Sequence, residues 1–231
     1  FAFAGGIDSK SNAIYGDLTA QKGNVASLLA VLNVPAKGVD GRLDGSISVS
    51  GTVNKPNVWL TGTLTGGKIK NYPLESIDVD VALENGVITV NRFFAKQGGG
   101  VLAVQGTAAL DGPLNLEVGG RGLDAGLLTA WLETNLDTRG KLSFTAQVSG
   151  TTASPHAAVS LDISGGGVAN ATFDSLYGLF ILDQGRINVN QLMLSKGPYK
   201  ASAYGTIPLG ALSREGRAQA TGADQMDLKV R

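Results

Sequence analysis

The chain has 231 residues, of which 43% are apolar and 16% charged, and Lys plus Arg balance Asp plus Glu at 19 each. That apolar share can supply a core, but there is no cationic surplus to hold a nucleic-acid backbone, so nucleic acid is excluded as a partner. With no cysteine, disulfides, thiol catalysis and thiolate metal sites are excluded as well.

In chain order, the segment VASLLAVL from Val25 predicts a short helix, and Gly41-Arg42-Leu43 restarts extended structure. Ile47 and Val49 then alternate with Ser46, Ser48 and Ser50, and Ile77, Val79, Val81 and Leu83 alternate with Asp78, Asp80 and Ala82. A period of two is the mark of half-buried antiparallel strands. Asn85-Gly86 suits a two-residue type I′ hairpin, since both residues tolerate positive φ. DAGLLTAWLE predicts a second short helix with Asp124 as its N-cap, and Gly140-Lys141-Leu142 restarts the strands. Leu142, Phe144, Ala146 and Val148 continue the alternation, and Gln184-Gly185 takes the place of a second hairpin turn. Glycines such as Gly62, Gly100, Gly150 and Gly178 are expected at strand ends, where they permit bends and bulges.

LENGVITV, residues 83 to 90, returns 99 residues later as LDQGRINV, residues 182 to 189. The same offset, without a gap, places Gly51-Thr52 on Gly150-Thr151, Pro56 on Pro155, Gly66-Gly67 on Gly165-Gly166, and Gly106-Thr107 on Gly205-Thr206. It also places Gly23 and Leu28 on Gly122 and Leu127. The chain therefore reads as a repeat array, a single elongated domain over residues 1–231 with units at about 12–110 and 111–209 and a third beginning at 210–231. Its ends look cut from a longer protein. About six short strands per unit and little helix leave two packings open: a tight core between two sheets, or an all-β antiparallel sheet that curls into a trough. Stacking at about 4.8 Å per strand gives each six-stranded unit a rise of roughly 29 Å.

The order G-K-L-S-F-T-A-Q-V-S-G-T-x-x-x-P, a Gly-Gly strand, L-E-N-G-V-I-T-V and G-G-G-V-L-A-V-Q-G-T resembles the TamB family of translocation and assembly module proteins. More broadly it is similar to the AsmA-like bridge proteins of diderm bacteria, and the similarity spans nearly the whole chain. The resemblance implies a β-taco-like trough in the periplasm whose parent protein is anchored in the inner membrane. It implies that the trough carries phospholipid acyl chains, and that an Omp85-class outer-membrane protein docks to a region absent from this chain. It implies neither catalysis nor a cofactor. The lining it suggests is Ile47, Val49, Leu60, Leu64, Ile77, Val79, Val81, Leu83, Ile88, Val90, Leu102 and Val104 in the first unit. In the second it is Leu142, Phe144, Val148, Val159, Leu161, Ile163, Phe180, Leu182, Ile187 and Val189. Alternation puts these on one face of each strand without saying which face is concave. The alternative reading is a scaffold or chaperone for outer-membrane protein or autotransporter assembly that conducts no lipid.

Other signals carry less. His156 sits in a Thr-Ala-Ser-Pro-His turn with no partner motif, which reads as a solvated loop residue. Asp78 and Asp80 share a strand face, but their counterparts Tyr177 and Leu179 are not acidic, so a solvated outer face is favoured over a carboxylate pair. Gly98-Gly99-Gly100 and Gly165-Gly166-Gly167 lack the residues that lead a phosphate loop into a helix. No Gly-x-Ser-x-Gly elbow is present, so the chain is not expected to be an enzyme, and no metal site is expected. Trp131 falls in the helix stripe, as core, and Trp59 lies on the strand face opposite Leu60.

Overall fold

The computed structural model of the chain describes residues 1–27, 39–69, 72–131, 138–208 and 226–231. It is all-β, an antiparallel sheet of fourteen strands in strictly sequential order that does not close on itself. The strands are β1 (Ala2–Asp8), β2 (Ala13–Asn24), β3 (Val39–Thr52), β4 (Lys55–Ile69), β5 (Tyr72–Glu84), β6 (Val87–Gln97) and β7 (Gly100–Ala109). They continue as β8 (Leu114–Asp124), β9 (Thr138–Gly150), β10 (Pro155–Val168), β11 (Ala171–Asp183), β12 (Arg186–Lys196), β13 (Tyr199–Pro208) and β14 (Asp227–Val230). Among the described residues the helix α1 (Gly126–Trp131) interrupts them, and residues 25–27 are helical as well. Each strand pairs with its chain neighbour, and tight turns join many of the pairs. At Asn85-Gly86, φ is 52° and 77°, and at Gln184-Gly185 it is 48° and 71°, the two positive values a type I′ turn requires.

Most strands run 10 to 15 residues, longer than the short strands expected. Gly62 and Gly178 lie in the middle of β4 and β11, not at strand ends. Glycine weakens a strand without terminating it when both neighbouring strands continue the hydrogen-bonded ladder. The expected turn histidine, His156, is likewise in the ladder: it is the second residue of β10 and pairs with Ser149.

The 99-residue offset recurs in the geometry. β5 and β11, and β6 and β12, have bounds that differ by 99, and their pairing registers shift at matching places, between Asp80 and Val81 and between Leu179 and Phe180. The chain divides into two compact units, Phe1–Leu116 and Glu117–Arg231, so the division falls inside β8. Much of the segment expected to begin a third unit lies outside the described residues; β14 is the part seen.

In the second unit the largest fully buried side chains lie on β8 and β9. Leu123 and Leu142 are 1% and 0% exposed, and Ala125, Ile163 and Phe173 are buried with them. Burying each large side chain contributes about 1.5–3 kcal/mol. The carboxylate of Asp124 accepts from Gly126 N at 2.8 Å, capping the start of α1. In the first unit Ala20, Ile77 and Ala95 are buried, and the rest of the helix expected from Val25 lies outside the described residues. The side chain of Trp131 also lies outside them.

Candidate functional site

Residues paired across neighbouring strands project to the same face of a sheet, as do alternate residues along one strand. The register of the first unit therefore sorts its side chains without ambiguity. Ile47 pairs with Leu60, Leu60 with Val81, and Val81 with Val90, a single apolar row across β3 to β6. Beside it Val49, Val58, Leu83 and Ile88 form a second row. Leu64 pairs with Ile77, and Ile77 leads through Ala95 to Leu102. Val79 leads through Phe93 to Val104. All twelve residues suggested for the first unit thus share one face.

The second unit repeats the arrangement. Val148 leads through Ala157 to Leu182 and Ile187. Val159, Phe180 and Val189 form the next row, and Phe144 with Leu161 and Leu142 with Ile163 complete the set. All ten residues suggested there share one face of that unit.

Two features show that this face is neither a dry core nor a flat surface. Of the 22 residues, only Ile77, Leu142, Ile163 and Val189 are buried; the others are half-buried. A closed sandwich would bury nearly all of them. The backbone also folds toward the apolar side. Gly45 and Gly62 face each other, and a Cβ on either would lie 2.7 or 2.9 Å from the other's Cα. Gly5 and Gly16 approach in the same way on the same face, a Cβ on Gly5 lying 2.7 Å from the Cα of Gly16. No side chain fits between strands brought that close, so glycine is required where the sheet bends over its apolar face.

The opposite face is polar in the first unit. Ser48 Oγ donates to Asp17 at 2.6 Å, Thr63 Oγ1 to Asp78 at 2.7 Å, and Asn91 Nδ2 to Asp80 at 3.1 Å. Asp78 and Asp80 are thus acceptors in cross-strand hydrogen bonds, half-buried rather than fully solvated. Trp59 is on this face, between Ser48 and Ala82, and 38% exposed. His156 Nδ1 lies 3.6 Å from Asp183 Oδ1, with both side chains about half exposed. Gly98-Gly99 form the β6–β7 turn, and Gly165 to Gly167 lie within β10 at a register shift, so neither glycine run leads into a helix. Among the described residues no group of His, Asp and Glu could hold a metal ion, and no helix is long and apolar enough to cross a membrane.

The sequence suggestion missed part of the apolar face. Leu43, Val58, Phe93, Leu176, Leu192 and Leu194 belong to it. Phe93, Leu192 and Leu194 follow a bulge in which two residues, Asn91-Arg92 or Asn190-Gln191, stand opposite one, and this single extra residue breaks the two-residue period. The same offset of 99 applied to these bulges is the signal that could have found them. Comparison with known protein families, curated proteins and solved structures finds no match for this chain.

Proposed function

We propose that this chain is a segment of a periplasmic β-trough that carries phospholipids between the inner and outer membranes along its apolar face, in support of outer-membrane biogenesis. The observation that carries the reading is the continuous apolar face of each unit, with 18 of the 22 suggested residues half-buried and the backbone folded toward it. A long apolar surface left uncovered marks a binding site. The resemblance to the TamB family supplies the identity of the ligand and the setting: a parent protein anchored in the inner membrane and an Omp85-class outer-membrane partner.

Transport of this kind requires no covalent chemistry. Acyl chains exchange water for the trough at about 0.8 kcal/mol per buried CH₂, while headgroups remain in solvent. Rows such as Ile47-Leu60-Val81-Val90 present similar surfaces to successive positions, so a chain can advance without meeting a deep trap.

A fluorescent acyl-lipid probe titrated into the protein tests the proposal. Saturable binding that a fatty acid displaces and that Val81→Asp weakens supports it. Absence of saturable binding would indicate a scaffold, and better displacement by an unfolded porin peptide than by a fatty acid would indicate a chaperone.

A further inference from the structure

The two units differ most sharply on the face away from the trough. On β5 that face carries Asp78, Asp80 and Ala82; at the matching positions of β11 it carries Tyr177, Leu179 and Ile181. The second unit therefore has an apolar ridge where the first has two carboxylates, and Met193, 41% exposed, pairs with Tyr177 beside it.

Two open cavities flank this ridge. One, of about 650 Å³, is lined by Tyr177, Met193, Ser202, Lys200 and Arg231 among others, and among the described residues no Asp or Glu side chain lines it. The other, of about 450 Å³, is lined in part by Leu179, Ile181 and Ala158. Tyr204 lies on the same face two residues from Ser202, with the guanidinium of Arg231 5.7 Å and the ammonium of Lys229 5.8 Å from its ring centre. Cation–π contact of this kind orients the guanidinium of Arg231, which lines the cavity. Tyr177 to Ile181 spans about 13 Å of extended chain, room for a medium-length alkyl tail.

We infer that this outer face of the second unit binds an anionic amphiphile, its charged head between Lys200 and Arg231 and its tail along the Tyr177-Leu179-Ile181 ridge. The site is distinct from the trough and does not rest on the trough's function. The head is recognised by the Lys200 and Arg231 side chains, which share the cavity with no Asp or Glu side chain among the described residues, and the tail by the apolar side chains of the ridge. The first unit lacks this ridge: Asp78 and Asp80 stand at the positions of Tyr177 and Leu179, where they would repel an anionic head.

The test is calorimetric titration of decyl phosphate, below its micelle concentration, into the 231-residue protein carrying a C-terminal amide, so that no α-carboxylate of Arg231 stands beside the head. Inorganic phosphate and decyl maltoside serve as comparison ligands. Saturable decyl phosphate binding is expected, with the dissociation constant rising about tenfold in the double variant Lys200→Gln/Arg231→Gln, as for the loss of two exposed charge contacts. Tyr177→Asp, which installs the first unit's residue, is expected to weaken binding at least as much. Tyr177→Ser serves in its place if the circular dichroism strand signal of Tyr177→Asp is lost. These residues lie outside the trough face, so their effects separate this site from binding in the trough. Unchanged decyl phosphate affinity in the charge and ridge variants would overturn the site. Equal affinity for inorganic phosphate or for decyl maltoside would overturn the assignment of its ligand.

Discussion

Gly45 and Gly62 face each other across β3 and β4 so closely that a Cβ on Gly45 would sit 2.7 Å from the Cα of Gly62. This contact explains how a sheet rich in β-branched side chains bends over its own apolar face: the crossing point has no side chains at all. Gly45→Ala or Gly62→Ala must separate the strands, at a cost of about 1–3 kcal/mol. Urea unfolding measures it, with Ser46→Ala on the opposite face expected to stay within about 0.5 kcal/mol of the parent protein.

The half-open character of the trough makes its lining residues unequal. Leu142 on β9 is fully buried, and Leu142→Ala is expected to cost about 2–5 kcal/mol. Leu60 is half-buried on the same kind of strand face, and Leu60→Ala is expected to cost about 1 kcal/mol in the ligand-free protein. Equal large costs at the two positions, measured by thermal or urea unfolding, would point to a closed core.

The hairpin turns offer a test of backbone fit. Gln184 holds φ at 48° and Asn85 holds it at 52° in equivalent turns, but asparagine tolerates that region better. Gln184→Asn should stabilise the protein by up to about 1 kcal/mol, and Asn85→Ala should destabilise it by about 1 kcal/mol. Calorimetric melting of both variants checks the pair.

The legibility of this fold in its sequence follows from which features are local. Alternation along Ile77-Val79-Val81-Leu83 and the turn chemistry of Asn85-Gly86 are local, and both sides of the hairpin were readable from them. The 99-residue repeat then carried the assignment from one unit to the next. What escaped is non-local. Whether Gly62 ends a strand or lets two strands approach depends on Gly45, seventeen residues away, and no pattern around Gly62 records that partner. Phe93 and Phe94 are adjacent, so composition could not say which of them faces the trough; the Asn91-Arg92 bulge decides for Phe93. The curvature that opens the apolar face depends on such contacts, which is why the sequence left open the choice between a trough and a tight core.

The most direct test of the central claim uses two neighbours on β5. Val81 pairs with Leu60 and Val90 on the apolar face, and Asp80 pairs with Thr61 and Arg92 on the other. A photo-crosslinking amino acid is placed at each position in turn, in the full-length protein in living diderm cells, and covalent phospholipid is measured. The account predicts phospholipid captured at Val81 and not at Asp80. Capture at neither position, with both proteins folded, would contradict it.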